Sequence, residues 1–165
     1  MTFLPGPFNF PLNVACFHTC AQVYANTNTV VKPLQATALA GSYSSSINTT
    51  TGVITLPDSP CLLVGSITYY SADTGNYIRY QWYDDTNSQY IGSTGQTRGL
   101  DPSRHAAYIS NTISCDEEAI CIAQNINIKL IITAKAGSGS SGEQFDAAHA
   151  HAAYAGKTKL TVYEF

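Results

Sequence analysis

The stretch from Thr50 to Gly95, TTGVITLPDSPCLLVGSITYYSADTGNYIRYQWYDDTNSQYIGSTG, constrains the fold of this chain more than any other part. Apolar-rich segments of strand length follow one another, separated by turn residues. CLLVGSITYYS begins almost continuously apolar, as a strand inside a sandwich does. NYIRYQWYD alternates, with Ile78, Tyr80 and Trp82 on one face and Tyr77, Arg79, Gln81 and Tyr83 on the other. That periodicity puts Ile78, Tyr80 and Trp82 in the core. Asp73-Thr74-Gly75-Asn76 reads as a hairpin turn in which Gly75 supplies a positive φ. DDTNS turns the chain again, and QYIGS reads as a short strand. A chain patterned this way folds as antiparallel β.

The pattern continues on both sides. SSSINTTTGVITLP reads as two short strands around an Asn-Thr-Thr-Thr-Gly turn, and HAAYISNTIS and NINIKLIITAKAG supply two more. In the last of these, Ile126, Ile128, Leu130 and Ile132 share a face. GSGSSG at 137–142 reads as a flexible loop, and KLTVYEF alternates as a final strand expected to pair centrally. Short strands with polar turns predict an all-β, antiparallel jelly-roll β-sandwich over residues 36–165. At 165 residues the chain is long enough to bury one such core. Residues 1–35 read as an extended proline-rich arm, because LPGPFNFPLN suits neither a helix interior nor a central strand. Phe3, Phe8, Phe10 and Phe17 are its natural anchors, either on its own domain or on a partner.

Composition excludes several classes. Charged residues make up 12% of the chain, about half the usual proportion, so Ser, Thr, Asn, Gln and Tyr must carry the surface. A net charge of −3 and eight scattered Lys and Arg argue against nucleic acid as a partner. MTFLPGPFNFPLN has no basic start and is broken by prolines, so no secretory signal is expected. No apolar run approaches the length of a membrane span, so no membrane partner is expected. The cysteines Cys16, Cys20, Cys61, Cys115 and Cys121 are odd in number, which suggests free buried thiols. Cys16-x3-Cys20 brackets His18 but lacks the second half of a zinc site. Cys115 and Cys121 flank DEEAI, which reads as an acidic turn.

No catalytic residues emerge, and the chain reads as a non-enzyme without a cofactor. There is no G-x-S-x-G elbow, and Ser103-Arg104-His105 follows Asp101-Pro102 as a turn. Asp84-Asp85 and Glu117-Glu118 are adjacent pairs in turns, where solvated carboxylates are the default. His149-Ala150-His151 is the sharpest chemical feature. If extended, its imidazoles lie on one face about 7 Å apart and can share a metal. If helical, they diverge. The expectation is no metal, with His149 and His151 as the only candidates. Tyr69, Tyr70, Tyr77, Tyr80, Tyr83 and Tyr90 cluster in the central strands. They suit a glycan-binding face, or simply the packing of half-buried strand positions.

TGVITLPDSPCLLVGSITYY followed by YIRYQWYDDTNSQYIGSTG resembles the jelly roll shared by tumour necrosis factor (TNF) and the globular head of complement, in the versions found in bacteriophage virion proteins. There a G-x-I-T-L-P-x-G-x-Y pattern leads into a strand of small and apolar residues, then Q-W-Y-x-x-T-x-x-x-x-I-G. Here those elements are Gly52 to Pro57, Leu62 to Tyr70 and Gln81 to Gly92, with Pro60-Cys61-Leu62 where the pattern has Gly-x-Tyr. The resemblance spans roughly residues 45–165, and its specific motifs cover about 45 of them. It implies a homotrimer in which the C-terminal strand, with Tyr163 and Phe165, packs at the threefold axis. It implies a virion location, as a capsid decoration or cement protein whose arm ties it to the major capsid protein or another virion protein. The alternative is a fibre head that binds host-surface glycans.

Overall fold

A computed structural model of the chain describes residues 13–20, 23–24, 27–67, 69–70, 77–98, 117–136, 144–145 and 158–165. Every regular element among them is a strand: β1 (Asn13–Cys20), β2 (Val23–Tyr24), β3 (Pro33–Ala40), β4 (Ser46–Asn48), β5 (Val53–Thr55), β6 (Cys61–Ser66), β7 (Tyr69–Tyr70), β8 (Tyr77–Asp84), β9 (Gln89–Arg98), β10 (Ala119–Ala123), β11 (Asn127–Ala136), β12 (Gln144–Phe145) and β13 (Lys159–Glu164). They form two five-stranded sheets, β10-β6-β13-β1-β3 and β4-β5-β11-β8-β9, and a small sheet β2-β12-β7. All strand pairs are antiparallel. From β5 to β6, and again through β9, β10 and β11, the chain passes between the two large sheets. That wiring is a jelly-roll β-sandwich.

Period-two alternation builds the core from both inner faces. β8 buries Ile78, Tyr80 and Trp82, and β11 buries Ile128, Leu130 and Ile132. Opposite them lie Ala15 and Phe17 of β1, Cys61 and Leu63 of β6, and Leu160 and Val162 of β13. Each large side chain removed from water contributes ~1.5–3 kcal/mol. The two ring-borne polar atoms are satisfied. Trp82 Nε1 donates to Ala119 O at 2.9 Å, and the Tyr80 hydroxyl donates to Glu117 O at 3.0 Å. Both bonds reach across to the β10 segment and lock the sandwich edge.

Two glycines allow that edge to close. A Cβ on Gly92 (φ +71°) would stand 2.3 Å from Ile120 O, and one on Gly95 would stand 2.3 Å from the Tyr80 ring. Between them, Ser93 Oγ accepts from Ile120 N at 2.9 Å, and just beyond Gly95, Gln96 and Glu117 exchange backbone bonds of 2.9 and 3.0 Å.

The described residues revise four expectations. First, the arm does not extend over residues 13–20. NVACFHTC alternates, and β1 lies inside the first sheet between β13 and β3, with Phe17 fully buried and edge-on to Tyr43 at 6.2 Å. Phe17 is therefore a core residue and not an anchor, and the sandwich includes chain before residue 36. Phe3, Phe8 and Phe10 lie outside the described residues. Second, the short strand QYIGS is the start of the ten-residue β9. Third, CLLVGSITYYS is divided: β6 ends at Ser66, and Tyr69–Tyr70 joins the small sheet. Fourth, Ala119 and Ile120, placed in an acidic turn, begin β10. The Asp73–Asn76 turn and the strand expected at HAAYISNTIS lie outside the described residues. KLTVYE of the expected final strand is β13, the middle strand of its sheet, with Phe165 just beyond it.

Candidate functional site

The first sheet turns one face inward and the other outward, and the outward face orders into cross-strand rows. One row is Ile122–Leu62–Tyr163–Val14–Ala40, apolar across all five strands apart from the tyrosine hydroxyl. The next is Ile120–Val64–Thr161–Cys16–Thr37, uncharged throughout. Charge enters only in a third row, Ser66–Lys159–His18–Gln35, where His18 Nε2 lies 2.9 Å from Thr37 Oγ1.

Ile122 is 74% exposed and Ile120 43%, because β10 is the edge strand and alternation sends Ala119 and Cys121 inward instead. Leu39 on β3 and Phe165 after β13 are 61% and 55% exposed. Among the residues whose side-chain burial is described, one other large apolar side chain is exposed, Tyr90 on the second sheet. Ile120 and Ile122 thus stand on one edge strand and Leu39 on the other, while Val14 and Cys16 between them are buried within the chain.

Glu164 ends β13 pointing inward, and it is almost wholly buried. Its carboxylate accepts from Ser44 N at 2.8 and 2.9 Å, from Ser45 N at 2.7 Å and from the Ser45 hydroxyl at 2.6 Å. This clasp fixes the segment that carries the chain from the first sheet into β4. Phe165 N donates to Pro60 O at 3.1 Å, which sets the end of the apolar row.

The outward face of the second sheet is different. Tyr83 meets Tyr90 edge-on at 5.1 Å, and Lys129 Nζ lies over the Tyr83 ring at 5.2 Å while pairing with Asp85. Asp84 is not a solvated turn carboxylate. It is buried, with Oδ1 accepting from Asn87 N at 2.9 Å and Oδ2 from Asn87 Nδ2 at 2.7 Å. Burial pushes its pKa up, but hydrogen bonds from the Asn87 side chain and the Asn87 and Thr86 amides, helped by Gln89, hold it below the ordinary aspartate value.

Of the residues singled out in the sequence, Tyr163 stands in the apolar row and Phe165 beside it. Ile78, Tyr80 and Trp82 are fully buried. His149 and His151 lie outside the described residues. Among the described residues, no group of three or more His, Cys, Asp or Glu is placed to hold a metal. Cys16, Cys61 and Cys121 are free and buried. Burial, then the nearby Glu164 charge, pushes Cys61 up to about 11, and burial pushes Cys121 up to about 12. These thiols are inert at neutral pH. Sequence reasoning missed Ile120 and Ile122. The alternation AICIA was the available signal, hidden by the acidic residues before it.

No protein-family model matches the chain, and no curated protein sequence matches it. Solved structures do. The crystal structure of murine APRIL at pH 8.0 superposes with a TM-score of 0.52 at 9% identity, covering 93% of this chain and 99% of that one. The fold is a TNF-like jelly roll. Eiger TNF from S. frugiperda is also similar, with a TM-score of 0.46 at 11% identity, covering 94% of this chain and 93% of that one.

Proposed function

We propose that this TNF-like chain is a structural, non-catalytic virion protein. It acts as a homotrimer that decorates a capsid, with the outward face of the first sheet turned toward its own copies. The observation that carries the self-association is the pair of uncharged rows from Ile122 and Ile120 to Ala40 and Thr37. Identical copies bring identical charges together, so a face without charge is the one on which they can meet without repulsion. Full burial of an exposed isoleucine is worth ~1.5–3 kcal/mol; covering Ile122, 74% exposed, recovers most of that, and Ile120, 43% exposed, under half.

The virion setting is supported by the quoted sequence motifs and by the low charge of the whole chain. In this reading Phe3, Phe8 and Phe10 tie each subunit to the major capsid protein, and three ties per trimer act together by avidity. The Tyr83–Tyr90 pair, in which Tyr90 is exposed, favours a second reading as a glycan-binding fibre head. Cryo-electron microscopy of intact particles from the source culture separates the two. Trimers seated on the capsid lattice support decoration, trimers at fibre tips support the head, and absence from particles overturns both.

A further inference from the structure

The outward face of the second sheet holds a cleft of about 420 Å³ lined by Arg79, Thr94, Gln96, Glu117, Thr133 and Ala134. Four of these residues form one cross-strand row. Glu117 bridges to Gln96, Gln96 pairs with Arg79, and Arg79 pairs with Ala134. Irregularities flank the row on both sides of β8. The β8–β9 register shifts between Tyr80 and Trp82, and the β11 register shifts between Ile132 and Ala134, leaving Thr133 as the extra residue. Bulges re-aim side chains and recur beside binding sites.

Arg79 is held on two sides. Its Nε donates to Gln96 Oε1 at 3.1 Å, and its guanidinium carbon lies 5.3 Å from the centre of the Tyr77 ring. Both contacts leave the terminal amino groups of the fork available. Orienting the plane in advance removes much of the entropy cost of a bidentate bond.

We propose that this cleft binds a carboxylated saccharide. Arg79 takes the sugar carboxylate as a bidentate pair, the geometry that a guanidinium matches best. Glu117, Thr94 and Thr133 bond to the ring hydroxyls, with Glu117 as acceptor. Among the described residues, the lining offers one small apolar side chain, Ala134, which suits polar ligands over an apolar peptide side chain. One arginine beside Glu117 among the described lining residues, on a chain of net charge −3, suits one carboxylate and not a densely charged polyanion. The cleft lies within one chain and opens on the sheet away from the apolar rows, so the inference does not rest on the trimer or the virion.

The test is saturation-transfer NMR and calorimetric titration of the full chain with sialyllactose and with glucuronate, beside lactose and acetate as controls. The expected result is saturable binding of at least one acidic sugar, with lactose and acetate much weaker. Arg79→Gln weakens that binding by about tenfold or more, the loss expected for a charge-assisted bond. Arg79→Lys keeps the charge without the fork and falls between. Lys129→Gln, on the same face but outside the cleft, binds as the parent does. No saturable binding of either acidic sugar, lactose binding equally well, acetate competing on equal terms, or an unaffected Arg79→Gln would each overturn the proposal.

Discussion

The outward faces of the two sheets stand on the same pleated scaffold and present opposite chemistry. On the first sheet, two rows of five residues each contain no charge, and the edge strand leaves Ile120 and Ile122 in the open. On the second, Arg79, Lys129, Asp85 and Glu117 alternate with Tyr77, Tyr83 and Tyr90. Their inner faces are alike, both aliphatic and aromatic. The core thus makes the sandwich, while the outward positions decide what each side meets. An apolar outer face is a liability for a lone sandwich and an asset for an assembly. A charged, tyrosine-rich outer face is stable in water and free to bind polar ligands.

The largest expected effect breaks that asymmetry directly. Ile122→Lys places an ammonium in the proposed subunit contact at a cost of several kcal/mol for each buried ion, and the assembly should fall to single chains. Tyr83→Lys, the same charge on the other face, should leave the mass unchanged. Light scattering reads both.

Next come substitutions beneath the faces. Trp82→Ala removes the largest buried side chain and the bond to Ala119 O, and should cost ~3–5 kcal/mol in urea unfolding. Trp82→Phe keeps most of the volume and should cost less, chiefly through the orphaned carbonyl. Glu164→Ala leaves the Ser44 and Ser45 amides without their acceptor and should cost ~1–3 kcal/mol. Because that clasp ties the first sheet to β4, hydrogen exchange should rise at Ser44 and Ser45 first.

Smaller effects sharpen the picture of the second sheet. The folded pKa of Asp84 lies below its unfolded value, so its contribution is full above the ordinary aspartate value of 3.8 and is lost as pH falls through the folded one. Acid titration of stability should show that loss in the parent and a shallower slope in Asp84→Asn. Lys129→Met should change stability by no more than about 1 kcal/mol, because the Asp85 pair is partly exposed.

Much of this architecture was legible in period-two patterns. NYIRYQWYD places Ile78, Tyr80 and Trp82 inward as alternation requires, and KLTVYE takes the middle of its sheet. What was hidden has physical causes. Prolines and phenylalanines ahead of Asn13 made β1 look like more of the arm, although Ala15 and Phe17 alternate with Val14 and Cys16. Glu117 and Glu118 disguised β10, since charge at a sheet edge resembles turn chemistry. Asp84 looked solvated although its partner, Asn87, lies only three residues on, because alternation along β8, which turns Asp84 inward with Trp82, was not carried into the turn. The cleft was illegible for a deeper reason. Its row joins Glu117, Gln96, Arg79 and Ala134 from four separate segments, and two register shifts that no local pattern announces bring them into line.

Whether copies of the chain cover the uncharged face of the first sheet is read by light scattering of the purified protein beside Ile122→Lys. The expected masses are about three times 17.7 kDa for the parent and 17.7 kDa for the variant. A parent that remains a single chain at high concentration, or a variant that keeps the parent's mass, would contradict self-association through this face.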